Sequence, residues 1–198
     1  MDDWKRCLGV FAAAVLLLAT PADARRVKRG GAKNPVRQAA CVAECDTVRN
    51  LIYMIGDGMG LAHVTMLQIA EGYDNPVSFM RAENVALIKS YSRNNRVTDS
   101  AAAGTALATG HKTNNSMLGV LPDSTAVESM MAKAVRRGMA TGLVVTCYLP
   151  HATPGAFYAH QVYRRTLEPI AEQLVESGVD VAFGGGKRYF TARRADGT

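Results

Sequence analysis

A serine at the start of a run of small residues is the strongest candidate for chemistry in this sequence. Residues 97–105 read VTDSAAAGT, so Ser100 follows Asp99 and opens an alanine-rich stretch. A helix starting here would bring the partial positive charge of its N-terminus to the Ser100 hydroxyl, which favours an alkoxide and a bound anion. The alternative is that Ser100 only caps the helix. No hydrolase elbow or histidine base lies nearby, so a metal could activate the serine instead.

A glycine-rich loop with one carboxylate is the second candidate. Residues 56–60 read GDGMG and follow an apolar run, which places Asp57 at the carboxyl end of a predicted strand, where a hard or borderline cation could bind. The glycine spacing differs from that of a dinucleotide-binding loop. The alternative interpretation is an Asp-Gly turn before a helix.

The third candidate segment, residues 151–164, reads HATPGAFYAHQVYR. Thr153 precedes a proline typical of a helix start, and Arg164 lies about three helical turns further on, where its guanidinium could face an oxyanion. Taken singly, these residues have structural explanations: Thr153 as a cap, His160 as a packed or surface histidine, and Arg164 as a solvated charge.

The elements that must position these side chains alternate along the chain. Strands are predicted over 48–55, 84–91, 140–146 and 179–183, and helices over 61–72, 100–109, 125–137, 153–163 and 167–177. Such alternation predicts an α/β fold with a largely parallel sheet covered on both faces. Chemistry in such sheets collects at the carboxyl ends of the strands.

The net charge of +6 is concentrated at one end of the 198 residues. Residues 1–40 hold eight basic and three acidic residues, a net charge of +5 that leaves +1 for the remainder. This distribution argues against a broad nucleic-acid-binding face.

The N-terminus has the form of an export signal. Lys5 and Arg6 precede an apolar run over 8–19, too short to span a bilayer, and a small-x-small site ends at Ala24. We therefore predict a signal peptide over 1–24 and a basic segment over 25–47. A second cut after Arg29 and an exposed solvated tail explain the basic residues equally well.

Cysteines and one sequon add further expectations. Cys41 and Cys45 could close a small loop in an oxidising compartment, with Cys147 as the odd thiol. Asn114 begins an N-glycosylation triplet, so the protein is a candidate glycoprotein.

Together the three loops resemble the alkaline phosphatase family, in the family's order, from about Val48 to Phe190 and ending in the glycine loop GGGKR. The signal peptide, together with His151 where bacterial relatives usually carry Asp, indicates an animal-type member. The resemblance implies a three-layer α/β/α sandwich with a central, mostly parallel sheet. Residues 48–198 would be the N-terminal portion of its catalytic domain.

The resemblance also implies roles for individual residues. Ser100 would be the nucleophile that becomes phosphoserine and would face a zinc, while Arg164, oriented by Asp99, would clamp two phosphoryl oxygens. Asp57 would bridge zinc and magnesium, Thr153 would bind magnesium, and His151 would stand near that metal. The implied cofactors are two Zn²⁺ and one Mg²⁺.

Family members are more than twice this length, and the remaining metal ligands lie in a second half that cannot be placed here. The histidines of this chain, His63, His111, His151 and His160, all lie in first-half motifs, and Cys147 stands where threonine is usual. We therefore expect an N-terminal fragment that by itself neither binds zinc tightly nor turns over substrate.

The whole protein is expected to hydrolyse phosphate monoesters as an extracellular or cell-surface homodimer, with lipid anchoring through a missing C-terminus. The alternatives are a related phosphodiesterase or sulfatase, and a non-catalytic surface binding protein that kept the fold.

Overall fold

The structure is a computed structural model that describes residues 50–75 and 77–191. The chain divides into two compact units, Met1–Val85 and Ala86–Thr198. The predicted signal peptide, the basic segment over 25–47 and the Cys41–Cys45 loop lie outside the described residues.

The described part of the first unit is built around one helix. Helix α1 spans Leu61–Glu71, which confirms the helix predicted over 61–72. It begins at Gly60, whose N–H donates to His63 Nδ1 at 3.1 Å. One 3₁₀ turn, Ser78–Arg81, follows.

The strands predicted over 48–55 and 84–91 are wrong for the residues the structure describes. Residues 50–55 and 84–91 form no ladder. A strand exists only where a neighbouring backbone supplies the complementary N–H and C=O groups. The apolar runs predicted burial, yet the side chains of Leu87 and Ile88 are 98% and 73% exposed.

Helix α2 is the first helix of the second unit. It spans Ser100–Thr109, as predicted, because Asp99 caps its first turn and Gly110 ends it in the left-handed conformation at φ 79°. Its buried face consists of small residues, namely Ala101, Ala102, Gly104, Thr105 and Ala108. This small face lets other segments approach the helix closely.

Two helices differ from their predicted bounds. Helix α3 spans Met130–Arg136 rather than 125–137, because Ser129 accepts from Ala132 N at 3.0 Å and caps it there. Helix α4 spans only Ala152–Gly155 rather than 153–163. The chain leaves α4 early because Gln161 pairs with Leu118 through two backbone hydrogen bonds of 2.8 and 2.9 Å.

A parallel strand pair forms the sheet of this unit. Strand β1, Gly142–Tyr148, pairs with β2, Val181–Gly185, in a register that aligns Gly142 with Val181. Helix α5, Leu167–Glu176, lies between them in sequence, as the crossover of a parallel pair requires. The helices and the parallel pair confirm the α/β class.

One hydrophobic cluster packs the second unit together. Ile170 and Leu174 of α5 join Leu143 of β1, Leu118 and alanines of α2 and α4 in its buried core. The core therefore connects α2, which carries Ser100, to the sheet and to the segment after β1. Within residues 50–75 and 77–191, no helix is long and apolar enough to cross a membrane.

Candidate active site

Asp99 and Ser100 occupy the N-cap and the first position of α2. Asp99 is the N-cap, and its Oδ1 accepts from Ala102 N at 2.9 Å. Ser100 is therefore the first residue of the helix rather than its cap, which corrects the alternative interpretation of this serine. Its hydroxyl lies in the first turn, where the helix dipole is felt most strongly.

A closed circuit of hydrogen bonds joins Asp99, Ser116 and Arg164. Asp99 Oδ2 accepts from Ser116 N at 3.0 Å and from Arg164 Nη1 at 3.2 Å. Arg164 N in turn donates to Ser116 O at 2.8 Å. The ion pair is mostly buried, with side-chain exposures of 22% for Arg164 and 24% for Asp99. Arg164 is thus held both through its backbone N–H and through its guanidinium.

The turn that carries Ser116 is held against the approach to α2. Asn115 Oδ1 accepts from Asp99 N at 3.2 Å, and Asn115 Nδ2 donates to Val97 O at 3.0 Å. Ser116 itself has φ 74°, an unusual conformation for a residue with a side chain. Such strain persists where surrounding contacts fix it, and here its backbone holds both members of the ion pair.

Arg164 reaches the site from a loop. The sequence predicted it three turns along a helix from Thr153, but α4 ends at Gly155, so that part of the prediction is wrong. The pairing of Gln161 with Leu118 leads the chain back past the turn that carries Ser116. The side chain nevertheless arrives beside the start of α2.

His151 and Thr153 lie at and within the first turn of α4. His151 is the residue before the helix, and its Nε2 lies 3.4 Å from Arg164 Nη2. The Tyr148 ring meets the His151 ring edge-on at a centroid distance of 5.0 Å. His151 is thus held between the end of β1 and the guanidinium.

Gly104 brings Thr153 close to the helix of Ser100. A Cβ at Gly104 would lie 3.0 Å from Ala156 Cβ and 3.5 Å from Thr153 O. A side chain at this position would force Ala156 to move by a few tenths of an ångström, so glycine allows the closer approach. One turn separates Gly104 from Ser100, so this contact sets Thr153 against the first half of α2.

A cavity of about 650 Å³ lies against Arg164, and neither Ser100 nor Thr153 is among its lining residues. Asp99, Ser116, His151 and Arg164 line it, together with tyrosines and further arginines from β1, the loop before α5 and the segment after β2. Its volume is in the range of ligand sites in proteins.

Asp57 belongs to the first unit, in a tight turn. Gly58 has φ 76°, and Met59 N donates to Gly56 O at 3.3 Å. The Asp-Gly turn that the sequence offered as an alternative is therefore present. A carboxylate in a turn of this kind can also serve as a metal ligand, so both interpretations of Asp57 remain compatible with the loop.

The predicted metal ligands are divided between the two units, with Asp57 in the first and the others in the second. A carboxylate, two hydroxyls and an imidazole, from Asp57, Ser100, Thr153 and His151, suit magnesium and zinc by donor type. Within residues 50–75 and 77–191, however, no three or more His, Cys, Asp or Glu side chains cluster as a metal site.

Other candidate histidines have structural contacts. His63 Nδ1 accepts from the N-terminal backbone of α1, and His160 Nδ1 lies 2.7 Å from Gly119 O. His160 thus holds its own segment against the backbone at Gly119, and it does not line the cavity.

No sequence pattern marked Ser116, Asn115 or Tyr148 as part of this site. Asn115 and Ser116 stood only within the glycosylation triplet at Asn114. Their backbone contacts arise from a turn that no periodicity marks. Tyr148 was visible only as an aromatic residue at the end of a predicted strand, where sites in α/β proteins gather.

Comparisons with known proteins match this chain to one family. The family model described as alkaline phosphatase matches residues 48–198. Alkaline phosphatase 4 of Bacillus subtilis is 38% identical over 159 residues, which cover 74% of this chain and 34% of that protein. The human tissue-nonspecific alkaline phosphatase isozyme is 33% identical over 177 residues, covering 73% and 34%.

Solved structures agree with the sequence relatives. The alkaline phosphatase of the Antarctic bacterium TAB5 is 40% identical, with a TM-score of 0.65 over 72% of this chain and 41% of that chain. A mutant of the TAB5 enzyme with Mg bound in its M3 site is 39% identical, with a TM-score of 0.65, covering 72% and 40%. The present chain spans about a third of the length of the curated relatives it matches. These matches confirm the family that the motifs predicted, and the relatives are both bacterial and animal.

Proposed function

This chain belongs to the alkaline phosphatase family, and we propose that it carries the serine-nucleophile part of a metal-dependent enzyme that hydrolyses phosphate monoesters. The observation that supports this most is the partly buried Asp99–Arg164 ion pair directly beside the first turn of the helix that Ser100 opens. A helix N-terminus and a guanidinium together favour a phosphoryl group, because both offer donors to anionic oxygens.

In the proposed reaction, Ser100 Oγ attacks phosphorus in line with the ester oxygen. The P–O bond to the leaving group breaks, the alkoxide departs with the bonding electrons and is protonated as the Ser100 hydroxyl loses its proton, and Ser100 becomes phosphoserine. Water then attacks phosphorus, releases inorganic phosphate and restores the hydroxyl. The net reaction consumes one water per ester.

Arg164 binds two phosphoryl oxygens through its planar fork, and Asp99 positions it. The fork stabilises the charge that builds on those oxygens as the bonds exchange. The Ser116 backbone bonds to both Asp99 and Arg164 and so holds them next to each other. The close contact at Gly104 keeps Thr153 near the same helix.

Asp57, Ser100, Thr153 and His151 would hold part of a set of two Zn²⁺ and one Mg²⁺. Bound divalent ions lower the pKa of an attacking hydroxyl and offset phosphoryl charge. The TAB5 mutant solved with bound Mg supports magnesium as one of these ions.

Export belongs to the same proposal. Residues 1–24 would be removed as a signal peptide, and the enzyme would act outside the cell or at its surface. A homodimer and a lipid anchor are supported by the family resemblance alone. Edman sequencing of the secreted protein that began at Arg25 would support the cleavage after Ala24, and an intact Met1 would contradict it.

Release of p-nitrophenol from p-nitrophenyl phosphate at alkaline pH by the full-length protein tests the function. We expect Ser100→Ala to abolish turnover while leaving the fold intact, because the change removes one oxygen. Ser124→Ala, in an exposed turn, is the matched control and should keep wild-type activity. Activity of Ser100→Ala at the wild-type level would contradict the nucleophile assignment, and preference for a phosphodiester or sulfate ester would favour the related hydrolases.

A further inference from the structure

Two arginines of the cavity are not used by the proposed phosphoryl chemistry. Arg165 and Arg188 line the same space as Arg164. Arg164 is neutralised by its ion pair with Asp99, the single carboxylate among the described residues that line this cavity. The lining therefore carries two further positive charges, so this side of the cavity favours an anion beyond the phosphoryl group itself.

A continuous series of aromatic rings runs from Arg164 to Arg188 along the cavity wall. From His151, which contacts Arg164, the Tyr148 ring lies 5.0 Å away, and the Tyr189 ring lies 5.5 Å beyond that. The Arg188 guanidinium lies 4.7 Å from the Tyr189 ring centroid. One wall of the cavity thus runs from one guanidinium, across aromatic surface, to another.

Contact with Tyr189 orients the Arg188 guanidinium. Its Nη2 lies 2.5 Å from Tyr189 Oη, and the cation faces the ring. Stacking of this kind limits the rotamers of a long side chain, so less entropy is lost when the fork binds an anion. A guanidinium has five N–H donors, so a single bond to Tyr189 leaves capacity for a carboxylate or phosphate.

We propose that the Tyr148–Tyr189–Arg188 wall is a leaving-group subsite, and that the enzyme prefers phosphate monoesters whose leaving group carries a second anionic group. The inference rests on the proposed function, because it places the scissile phosphoryl group at Arg164. The second anion, a carboxylate or a phosphate, is bound by Arg188 with Arg165 beside it. The tyrosine rings contact the part of the leaving group between the two anions.

A matched pair of substrates tests this in the full-length enzyme. 4-(Carboxymethyl)phenyl phosphate carries a carboxylate that 4-(2-hydroxyethyl)phenyl phosphate replaces with a neutral group of similar length, and a methylene insulates both phenols. The measured quantity is the ratio of kcat/KM for the charged substrate to that for the neutral one. An exposed ion pair of up to about 1 kcal/mol corresponds to a ratio of roughly 3 to 5 in the wild type.

Arg188→Gln should bring this ratio close to 1, and Arg165→Gln should lower it less. Lys187→Gln is the control, because it removes the same charge from the neighbouring residue, which does not line the cavity. It should keep the wild-type ratio. Added salt should reduce the wild-type ratio, since the pair is exposed.

The outcomes separate the two proposals. If the wild type hydrolyses neither ester, the proposed function fails. If it hydrolyses both with a ratio near 1, or if Arg188→Gln keeps the wild-type ratio, the subsite is overturned while the function stands. A ratio that falls equally in Lys187→Gln would show general steering by surface charge and would also overturn the subsite.

Discussion

Replacing Asp99 by asparagine should cost more than the loss of a charge, because the site uses both carboxylate oxygens as acceptors. Oδ1 accepts from Ala102 N at 2.9 Å, while Oδ2 accepts from Ser116 N and from Arg164 Nη1 at 3.0 and 3.2 Å. An asparagine offers one oxygen and one NH₂ group. Whichever way it is turned, its NH₂ group faces at least one N–H donor.

The size of the effect follows from these contacts. If the oxygen keeps the helix cap, Ser116 N and Arg164 lose their acceptor, and an unsatisfied polar group in a buried site costs about 1–3 kcal/mol. If the oxygen turns to Ser116, the cap is lost, at a cost of about 1 kcal/mol. Since Asp99 is 24% exposed, water offsets part of either cost, and we expect Asp99→Asn to lose about 1–2 kcal/mol.

The variants Asp99→Ser and Asp99→Ala separate the two roles of this side chain. Serine is as good an N-cap as aspartate, so Asp99→Ser should keep the cap while losing the hold on Arg164. Asp99→Ala loses both and should be the least stable of the three. In all three, kcat/KM should fall roughly tenfold to a hundredfold, because Arg164 loses a charged hydrogen bond of about 1.5–3 kcal/mol that positions it.

Urea unfolding of the full-length protein measures the stability, with the midpoint expected to fall at constant m-value. Asp123→Asn is the matched control, since Asp123 is exposed and its hydrogen bonds are local, with Thr125 and its own backbone. It should leave the urea midpoint where it is. An Asp99→Asn variant as stable and as active as the wild type would refute the reasoning, because it would show that one oxygen is enough.

Two further substitutions test the packing around the site. Gly119→Ala should destabilise the protein by about 3–5 kcal/mol, because φ is 60° and the new Cβ would lie 2.1 Å from Ala159 O. Gly110→Ala, at φ 79° with open space around it, should cost only about 1–2 kcal/mol. Similar urea midpoints for the two variants would contradict the predicted clash at Gly119. Tyr158→Phe should cost about 1 kcal/mol at pH 8, because Tyr158 Oη donates to Leu149 O at 2.7 Å. Burial raises the pKa of Tyr158 above its ordinary value of 10.0, so the neutral phenol's contribution is complete below that pH and is lost as pH rises above it. The stability difference between wild type and Tyr158→Phe should therefore shrink above about pH 10, and a difference that stays constant with pH would contradict the burial argument.

Local signals predicted the start of the site well. The alanine run after Asp99 and the glycine at Gly110 are propensity and stop signals, and α2 has the predicted bounds, although its cap is Asp99 and not Ser100. The family motifs likewise predicted that Arg164 would matter, and it does lie beside Asp99.

The features that the sequence did not predict depend on pairing between residues distant along the chain. The apolar residues 153–163 fitted a helix, but the Leu118–Gln161 bridge ends α4 after one turn, and no periodicity reveals a partner forty residues away. The left-handed Ser116 was also hidden, because such conformations are typical of glycine and asparagine rather than serine. The strand predictions over 48–55 and 84–91 were wrong for the described residues for a related reason. An apolar run predicts burial, but it does not identify the strand with which it would pair.

The central claim is that Ser100 carries the phosphoryl group during turnover. Acid quenching of the metal-loaded full-length protein during hydrolysis of p-nitrophenyl phosphate, followed by peptide mass spectrometry, measures this directly. We predict one phosphoryl group on the peptide that contains Ser100, assigned to that residue by fragmentation and absent from Ser100→Ala. Turnover with phosphate on another residue, or on none under conditions that trap phosphoserine, would contradict the account.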